Sequence, residues 1–286
     1  MGKEIKDLKD IQALSLTVLK RFDEICQKNG FKYFLAYGTL IGAIRHNGFI
    51  PWDDDIDVMM PRKDFNRFIA YTEKHKKELY PLKLHNRRNT ENYYYGIPRF
   101  SDMKYQYTVI DNYEKGFDIG VFIDIYPLDN FGNNREDAER LFKKCRQMNR
   151  EFDWYVNTIS KVSFIRTLVR KTMHCLMHIK YKKDYKNEID KRIEKYILNN
   201  TSEDDKYIGV VLWASKIWQY DKSKLQGLKT VRHKFEDYEF NIPAAYDYML
   251  KKGYGDYMQL PKEEDRHPYH NYRIQVRDNL ENNISD

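Results

Sequence analysis

Four aspartates stand within five positions of this chain, at Asp53, Asp54, Asp55 and Asp57. They lie between two apolar runs, residues 48–52 and residues 58–60. Carboxylates held this close repel one another, and burying them costs several kcal/mol per charge unless a cation compensates the charge. A fold that contains this segment must therefore leave it in solvent or supply positive charge.

The spacing favours a metal site, although a solvated acidic loop is the alternative. In a β-strand Asp55 and Asp57 share one face, because successive side chains alternate. Two carboxylates on one face suit a hard divalent cation, most often Mg²⁺, with Mn²⁺ as the alternative ion. Such an ion usually also binds substrate phosphates. The pattern therefore predicts phosphate chemistry on a nucleotide-type donor.

Two further features extend the predicted site. Asp124 stands inside an apolar strand-like run, where a lone carboxylate is costly unless it is paired or bound to metal. Asp129, after Pro127, is more typical of a turn or helix cap. Upstream, Gly38 and Thr39 join a strand-like segment, 31–37, to a short helix, 40–45. Backbone N–H groups at such a turn can meet a phosphate.

Composition limits the classes of protein to which the chain can belong. No run approaches eighteen apolar residues, which predicts no transmembrane helix, and the charged start, MGKEIKDLKDIQ, predicts no secretory signal. Three widely spaced cysteines fit a reducing cytosol rather than a disulfide scaffold. The net charge of +7 allows nucleic acid, an anionic membrane or a polyanionic substrate. Since no nucleic-acid-binding signature is present, we expect no nucleic-acid partner.

Hydrophobic periodicity predicts an α/β (α+β) protein. The expected elements are helices over 4–28, 63–77 and 242–252, strands over 55–60, 82–86, 93–99, 105–111 and 207–213, a strand ending at Pro127, and a hairpin over 229–240. We divide the chain into a catalytic core (1–133), a basic helical region (134–200) and a C-terminal region that completes the site (201–286).

The stretch 162–183 mixes apolar and basic residues at helical spacing. One interpretation is a helix that packs its apolar face on the domain core. The other is a segment that lies on an anionic membrane surface. We expect a cytoplasmic location. The second interpretation adds peripheral contact with the inner face of the plasma membrane.

Residues 37–46 (YGTLIGAIRH) and 48–57 (GFIPWDDDID) together resemble the signature of the LicD family. The resemblance continues in 120–129 (GVFIDIYPLD), in Ile242-Pro243, in Tyr246-Asp247, in 254–258 (YGDYM) and in Leu260-Pro261. It is loose over 135–230. It implies a nucleotidyltransferase-like mixed sheet flanked by helices, with a helical insertion and a small C-terminal subdomain.

The resemblance also implies roles. Asp55, Asp57 and Asp124 match the catalytic carboxylates of the superfamily, and Gly38-Thr39 matches its Gly-Ser motif. Asp53 matches the first aspartate of the family's extended run and joins those three as a metal ligand. The other expected substrate or phosphate contacts are Arg45, His46, Trp52, Arg99, Arg266 and His267. For Arg45 the alternative is a salt bridge to the aspartates, for Trp52 a packing role, and for Arg266 and His267 a solvated tail.

The implied reaction moves an alcohol phosphate, phosphocholine first, from a CDP-linked donor to a sugar hydroxyl, and releases CMP. The acceptor would be a sugar or a lipid-linked glycan. Two alternatives use the same carboxylates: a nucleotidyltransferase that releases pyrophosphate, and transfer of glycerol or ribitol phosphate. A basic scaffold that only binds nucleotide is the non-enzymatic alternative.

Overall fold

The computed structural model of the chain describes residues 2–109, 117–156, 164–181, 185–212, 217–268 and 272–278. Its contacts divide the chain into two units. The first contains Met1–His85, Ile97–Leu128 and Tyr220–Asp286, and the second contains Asn86–Gly96 and Asp129–Gln219. The three consecutive domains expected from the sequence stay a prediction, which contacts within one chain do not test.

The described residues form both strands and helices, and some elements of one kind follow one another directly. The strands are β1 (Glu4–Ile5), β2 (Phe34–Leu35), β3 (Asp57–Pro61), β4 (Leu82–His85), β5 (Arg99–Asp102), β6 (Tyr105–Val109), β7 (Val121–Asn130), β8 (Tyr207–Val210), β9 (Trp218–Asp221), β10 (Thr230–Phe235), β11 (Tyr238–Pro243) and β12 (Tyr272–Val276). The helices are α1 (Leu8–Asn29), α2 (Tyr37–His46), α3 (Arg62–Lys74), α4 (Lys76–Leu79), α5 (Arg135–Val156), α6 (Phe164–Tyr181), α7 (Tyr185–Asn200) and α8 (Tyr246–Tyr254).

A mixed sheet forms the centre of the first unit, in the order β2-β3-β7-β5-β4. Strands β3 and β7 are parallel, and the other neighbours are antiparallel. The mixed α/β content and the mixed sheet confirm the predicted fold class. A second sheet, β1-β12-β6, and the hairpin β10-β11 also lie in this unit.

The amphipathic helix α1 covers the core of this sheet. Asp7 caps its first turn by accepting a hydrogen bond from the backbone N–H of Lys9, and Gly30 ends it in the left-handed conformation that glycine tolerates. Phe22 is fully buried and meets the rings of Tyr33 and Phe68 edge to face. This helix was predicted over 4–28, but its first residues form β1 instead, because they pair with β12.

Strand β7 passes through Pro127, where the sequence analysis ended it. That prediction was wrong, because the nitrogen of Pro127 faces a side of β7 where none of the described strands pairs with this residue. The N–H of Asp124 points to β3 and that of Ile125 points away from β3, to the carbonyl of Pro98. By alternation the nitrogen of Pro127 also points away from β3, beyond the last residue pair of β5 with β7, at Arg99 and Asp124. No ladder hydrogen bond is therefore lost there.

Three other predictions of elements need correction. Residues 93–98 form no strand, and the strand there starts at Arg99. Ile242-Pro243 ends strand β11 instead of starting a helix, and the helix begins at Tyr246. The C-terminal strand β12 was not predicted. It pairs with β1 and β6, which are far from it in sequence.

The second unit is mainly helical, as predicted for 134–200. Helices α5, α6 and α7 bury an apolar cluster that includes Phe152, Tyr185 and Ile189. Strand β8 pairs with the last two residues of β7, Asp129 and Asn130. Among the described residues, no helix is both long enough and apolar enough to cross a membrane.

Candidate active site

Asp57 and Asp124 lie side by side in the sheet of the first unit. Asp57 is the first residue of β3, and Asp124 is its partner in the parallel strand β7. Each residue keeps less than a tenth of its surface exposed. Neighbouring strands are about 4.8 Å apart, so the fold places two carboxylates at adjacent positions inside the protein.

The remaining aspartates lie directly before β3. One carboxylate oxygen from each of Asp53, Asp54 and Asp55 lies within 4.8 Å of the others. Strand β3 starts at Asp57, so the strand predicted over 55–60 begins two residues later than expected. The side chain of Gln12 donates to the backbone carbonyl of Asp53 at 2.7 Å and so ties the segment to α1.

The electrostatics of Asp57 show a charge without full compensation. Burial raises the pKa of Asp57 well above its ordinary value, and the negative charges of Asp55, Asp124 and Asp53 raise it further. Only a hydrogen bond from Tyr126 acts in the opposite direction. The oxygen Oδ1 of Asp57 is buried and has no hydrogen-bond partner among the described residues. Burying an acceptor without a partner is costly, so this atom is positioned for a ligand.

The first turn of α2 adjoins the aspartates. A Cβ placed on Gly38 would lie 2.7 Å from Oδ2 of Asp53, so the glycine lets the carboxylate approach the helix backbone. Thr39 is buried, and its hydroxyl oxygen accepts the backbone N–H of Asp57 at 2.9 Å. Thr39 therefore fixes the start of β3 against α2, and the first N–H groups of the helix lie next to the carboxylates.

Arg99 supplies positive charge beside Asp124. Its Nε donates to Oδ1 of Asp124 at 2.9 Å, and both side chains are less than a tenth exposed. The guanidinium carbon lies 4.0 Å from the centroid of the Phe122 ring. A buried pair of this kind restrains both side chains, so Arg99 holds Asp124 in place.

A second group of side chains, the basic cluster, gathers at the other end of α2. Its members are Arg45, His46, Trp52 and Arg266. Nε of Arg45 bonds Nε2 of His46 at 2.9 Å, the His46 ring meets Trp52 edge to face, and the Arg266 guanidinium lies 5.6 Å from the Trp52 ring centroid. Burial lowers the pKa of Arg45, and the charge of Arg266 lowers it further. Two like charges this close favour an anion as their ligand.

The chemistry of the donor set fits a divalent cation. Asp53, Asp54, Asp55, Asp57 and Asp124 offer only oxygen ligands, which hard cations such as Mg²⁺ and Mn²⁺ prefer. The orphaned oxygen of Asp57 and the mutual repulsion that raises its pKa are what such an ion would relieve.

Comparison with known proteins gives the family. The protein-family model described as LicD/FKTN/FKRP, nucleotidyltransferase domain, matches residues 30–169. The lipopolysaccharide cholinephosphotransferase LicD of Haemophilus influenzae is 33% identical over 275 residues, which cover 92% of this chain and 96% of that protein. The chain belongs to the LicD family. It is an enzyme of the phosphotransferase class.

Two other relatives match only part of the sequence of this chain. An uncharacterized protein of Rickettsia typhi is 40% identical over 77 residues, which cover 27% of this chain and 25% of that protein. Mannosyltransferase regulator 4 of Saccharomyces cerevisiae is 31% identical over 67 residues, which cover 23% of this chain and 6% of that protein. The likeness to these two proteins is local.

Most of the site residues predicted from the sequence fall into two groups in the structure. Gly38, Thr39 and Arg99 adjoin the aspartates, whereas Arg45, His46, Trp52 and Arg266 form the basic cluster. Arg45 donates to the backbone carbonyls of Tyr257 and Gln259, and among the described residues it makes no salt bridge to an aspartate. His267 is exposed, and its Nδ1 lies 3.2 Å from the carbonyl of Pro268.

Sequence reasoning missed several side chains around the aspartates. Asp54 belongs to the cluster of three carboxylates but was not proposed as a ligand. Tyr126 hydrogen-bonds Asp57, and Tyr272 hydrogen-bonds Asp54. Burial raises the pKa of Tyr254, and the charges of Asp57, Asp53 and Asp55 contribute to that rise. Tyr126 and Tyr254 lie inside the segments that resemble the LicD family, so the sequence offered a signal for these two residues. No sequence feature pointed to Tyr272.

Proposed function

We propose that this protein transfers phosphocholine from CDP-choline to a sugar hydroxyl of a cell-surface glycan precursor, such as that of lipopolysaccharide, and releases CMP. The relative that covers nearly the whole chain is named for cholinephosphate transfer to lipopolysaccharide. The observation that carries the proposal is the buried pair Asp57 and Asp124, adjacent in register, with Asp53 and Asp55 close enough to raise the pKa of Asp57.

A bound Mg²⁺, or Mn²⁺ in its place, would be held by the carboxylates of Asp53, Asp55, Asp57 and Asp124. Asp54 would be a further ligand. When bound, the ion would neutralise charge that develops on the transferred phosphate and on the leaving CMP. Arg99 keeps Asp124 oriented through the ion pair at 2.9 Å. Tyr126 orients Asp57 through its hydrogen bond. The protein thus supplies a preorganised site for the transferred phosphate.

The reaction proposed here breaks one phosphorus–oxygen bond and forms another. The acceptor hydroxyl attacks the phosphorus that carries choline, and CMP leaves with the electron pair of the bridging bond. Asp124 is the proposed acceptor of the hydroxyl proton. The N–H groups at the start of α2 and the Gly38 backbone would bind phosphate oxygens.

The basic cluster is the proposed site for the remaining negative charge of the substrates. Arg45 and Arg266 present two cations beside His46 and Trp52, and Trp52 immediately precedes Asp53 in the chain. A phosphate or diphosphate bound there would relieve the repulsion between the two arginines. The flat face of Trp52 would add a surface for a base.

A donor screen tests the proposal. Purified protein is incubated with Mg²⁺, a lipopolysaccharide or glycolipid acceptor and one donor at a time: CDP-choline, CDP-glycerol, CDP-ribitol or CTP. Released nucleotide and modified acceptor are measured by mass spectrometry. We expect CMP and a phosphocholine-modified acceptor from CDP-choline, with both lost in Asp55→Ala and kept in the exposed-site control Asp204→Asn.

The other donors decide between the alternatives. CMP only from CDP-glycerol or CDP-ribitol would change the transferred group and keep the mechanism. Pyrophosphate from CTP would make the protein a nucleotidyltransferase. Nucleotide binding by calorimetry that is unchanged by Asp55→Ala, with no turnover of any donor, would contradict the enzymatic proposal.

A further inference from the structure

Helix α6 in the second unit presents an apolar stripe to solvent. Five of its apolar residues remain about half exposed or more: Ile165 (73%), Leu168 (58%), Val169 (55%), Leu176 (48%) and Ile179 (78%). Their spacing places them on one arc of the helix, because three and four residues each complete about one turn. Thr172 and Cys175 are also exposed and fall on the same arc.

The opposite arc of α6 is the one that packs on the unit. Met177 is 7% exposed and belongs to the buried apolar cluster, and Met173 and Tyr181 pack against that cluster. The ring of His178 stacks on Tyr155, which lies in α5. The helix therefore already has a packed face, so the exposed stripe is additional to what the fold requires. The interpretation of the segment as a helix that packs an apolar face on the protein is therefore correct for this arc, and the exposed arc needs a separate explanation.

Positive charge borders the stripe. At 100° per residue Lys171 falls outside one edge of the arc, and Lys180 falls just outside the other edge. Lys180 is 52% exposed even while it bonds Glu151 at 3.1 Å. From Phe164 to Tyr181 the sequence contains four Lys and Arg and no Asp or Glu. Over 134–200 it contains 17 Lys and Arg against 9 Asp and Glu, an excess larger than the net charge of +7 for the whole chain.

We propose that α6 is an interfacial helix that binds the surface of an anionic lipid bilayer. Its apolar arc would enter the boundary between headgroups and acyl chains, and the flanking cations would contact lipid phosphates. The stripe runs over fourteen residue steps, about 21 Å along the helix, which is enough for an in-plane contact. The complementary charge selects this occupant, since a second copy of the same helix would bring the same cations face to face.

The test is cosedimentation of the whole protein with vesicles, without donor, acceptor or metal. Vesicles contain phosphatidylglycerol in phosphatidylcholine, or phosphatidylcholine alone. We expect binding to the anionic vesicles, little binding to the neutral ones, and release when the salt concentration is raised. Because no catalytic step is measured, failure of this proposal is distinguishable from failure of the proposed function.

Matched variants locate the contact. Leu168 in α6 and Leu198 in α7 are both 58% exposed, so the same substitution tests the position and not the residue type. Leu168→Glu should reduce binding about tenfold, and Leu198→Glu should leave it unchanged. Lys171→Glu should weaken binding to anionic vesicles by a smaller factor of about five.

Three outcomes would overturn the proposal. The first is no binding to anionic vesicles. The second is equal loss in Leu168→Glu and Leu198→Glu, or no loss in either variant. The third is a concentration-dependent dimer, seen by light scattering, that Leu168→Glu abolishes in a protein that does not bind vesicles; this would assign the stripe to a second copy of the chain.

Discussion

At the scale of single residues, the candidate site is defined by charges that the fold leaves only partly compensated. Asp124 has a cation, Arg99, at 2.9 Å. Asp57 has a hydrogen bond from Tyr126 but keeps one buried oxygen without a partner among the described residues. The sequence predicted both aspartates, because carboxylates in apolar runs are rare. It could not predict Tyr272, whose contact with Asp54 depends on an unpredicted strand.

Removal of the Asp57 charge should stabilise the protein in the absence of a divalent ion. In Asp57→Asn the repulsion by Asp55, Asp124 and Asp53 disappears, so the free energy of unfolding should rise by about 1 kcal/mol in EDTA. Mg²⁺ should raise the melting temperature of the wild type and of the control Asp204→Asn, but not that of Asp57→Asn. Equal Mg²⁺ shifts in all three proteins, measured by calorimetry, would count against Asp57 as a ligand.

Loss of the Arg99 charge should have the opposite effect. Arg99→Met leaves Asp124 buried without its paired cation, and breaking such a pair costs about 3 kcal/mol. The control is Arg21→Met: Arg21 is 56% exposed and pairs with Glu24, which is 50% exposed, so this loss should cost less than about 1 kcal/mol. Urea unfolding measures both variants, and similar losses in the two would contradict the assigned burial of the Arg99 pair.

His85 predicts a dependence of stability on pH. Burial lowers the pKa of His85 well below its ordinary value, and its Nε2 lies 2.9 Å from Oγ of Ser101. The unfolded chain binds a proton near pH 6.5 while the folded chain does not. Stability is therefore lost from about pH 6.5 downward until the lowered pKa is reached, by at most about 1.4 kcal/mol per pH unit.

The variant His85→Gln isolates this contribution. Between pH 7.5 and pH 5.5 the wild type should lose about 1 kcal/mol more unfolding free energy than His85→Gln, since the other titrating groups are common to both. Urea unfolding at the two pH values measures the difference. A loss in His85→Gln identical to that of the wild type would show that His85 is not the group responsible.

At the scale of elements, helix α2 connects the aspartates with the basic cluster. Its first turn meets Asp53 and Asp57, and its last turn carries Arg45 and His46. The sequence predicted a helix here and a turn before it. The helix begins at Tyr37, three residues earlier than predicted, because Gly38 and Thr39 belong to its first turn and not to a separate turn.

Two glycines of α2 should respond differently to alanine. A Cβ on Gly42 would lie 2.4 Å from the backbone oxygen of Gly48, which cannot move without shifting the chain before the aspartates. Gly42→Ala should therefore cost about 2 kcal/mol of stability. A Cβ on Gly38 would meet only the carboxylate of Asp53, which can rotate.

Gly38→Ala should for that reason keep its stability within about 1 kcal/mol of the wild type and lose activity, because Asp53 moves from its position. Thermal unfolding and CMP release, measured on both variants, separate the two effects. Loss of stability in Gly38→Ala equal to that in Gly42→Ala would contradict the close approach of Asp53 to the helix.

At the scale of the whole molecule, the sequence predicted the fold class and the family but not which distant segments come together. Residues 86–96 join the second unit, where Arg87 is 1% exposed and bonds Asp190 at 2.9 Å and the side chain of Asn149. No local sequence pattern predicts a buried arginine whose hydrogen-bond partners are 62 and 103 residues away. The charge excess of 134–200 was readable from the sequence, whereas the exposure of the α6 stripe required the structure.

We propose that the paired carboxylates of β3 and β7 act in phosphocholine transfer. The most direct test of this role is CMP release from CDP-choline, with Mg²⁺ and a glycolipid acceptor, by the wild type and by Asp57→Asn. We predict that the folded variant loses about a thousandfold or more of the rate, because an interaction needed in the transition state is removed. A folded Asp57→Asn protein that releases CMP at a rate close to that of the wild type would contradict the claim.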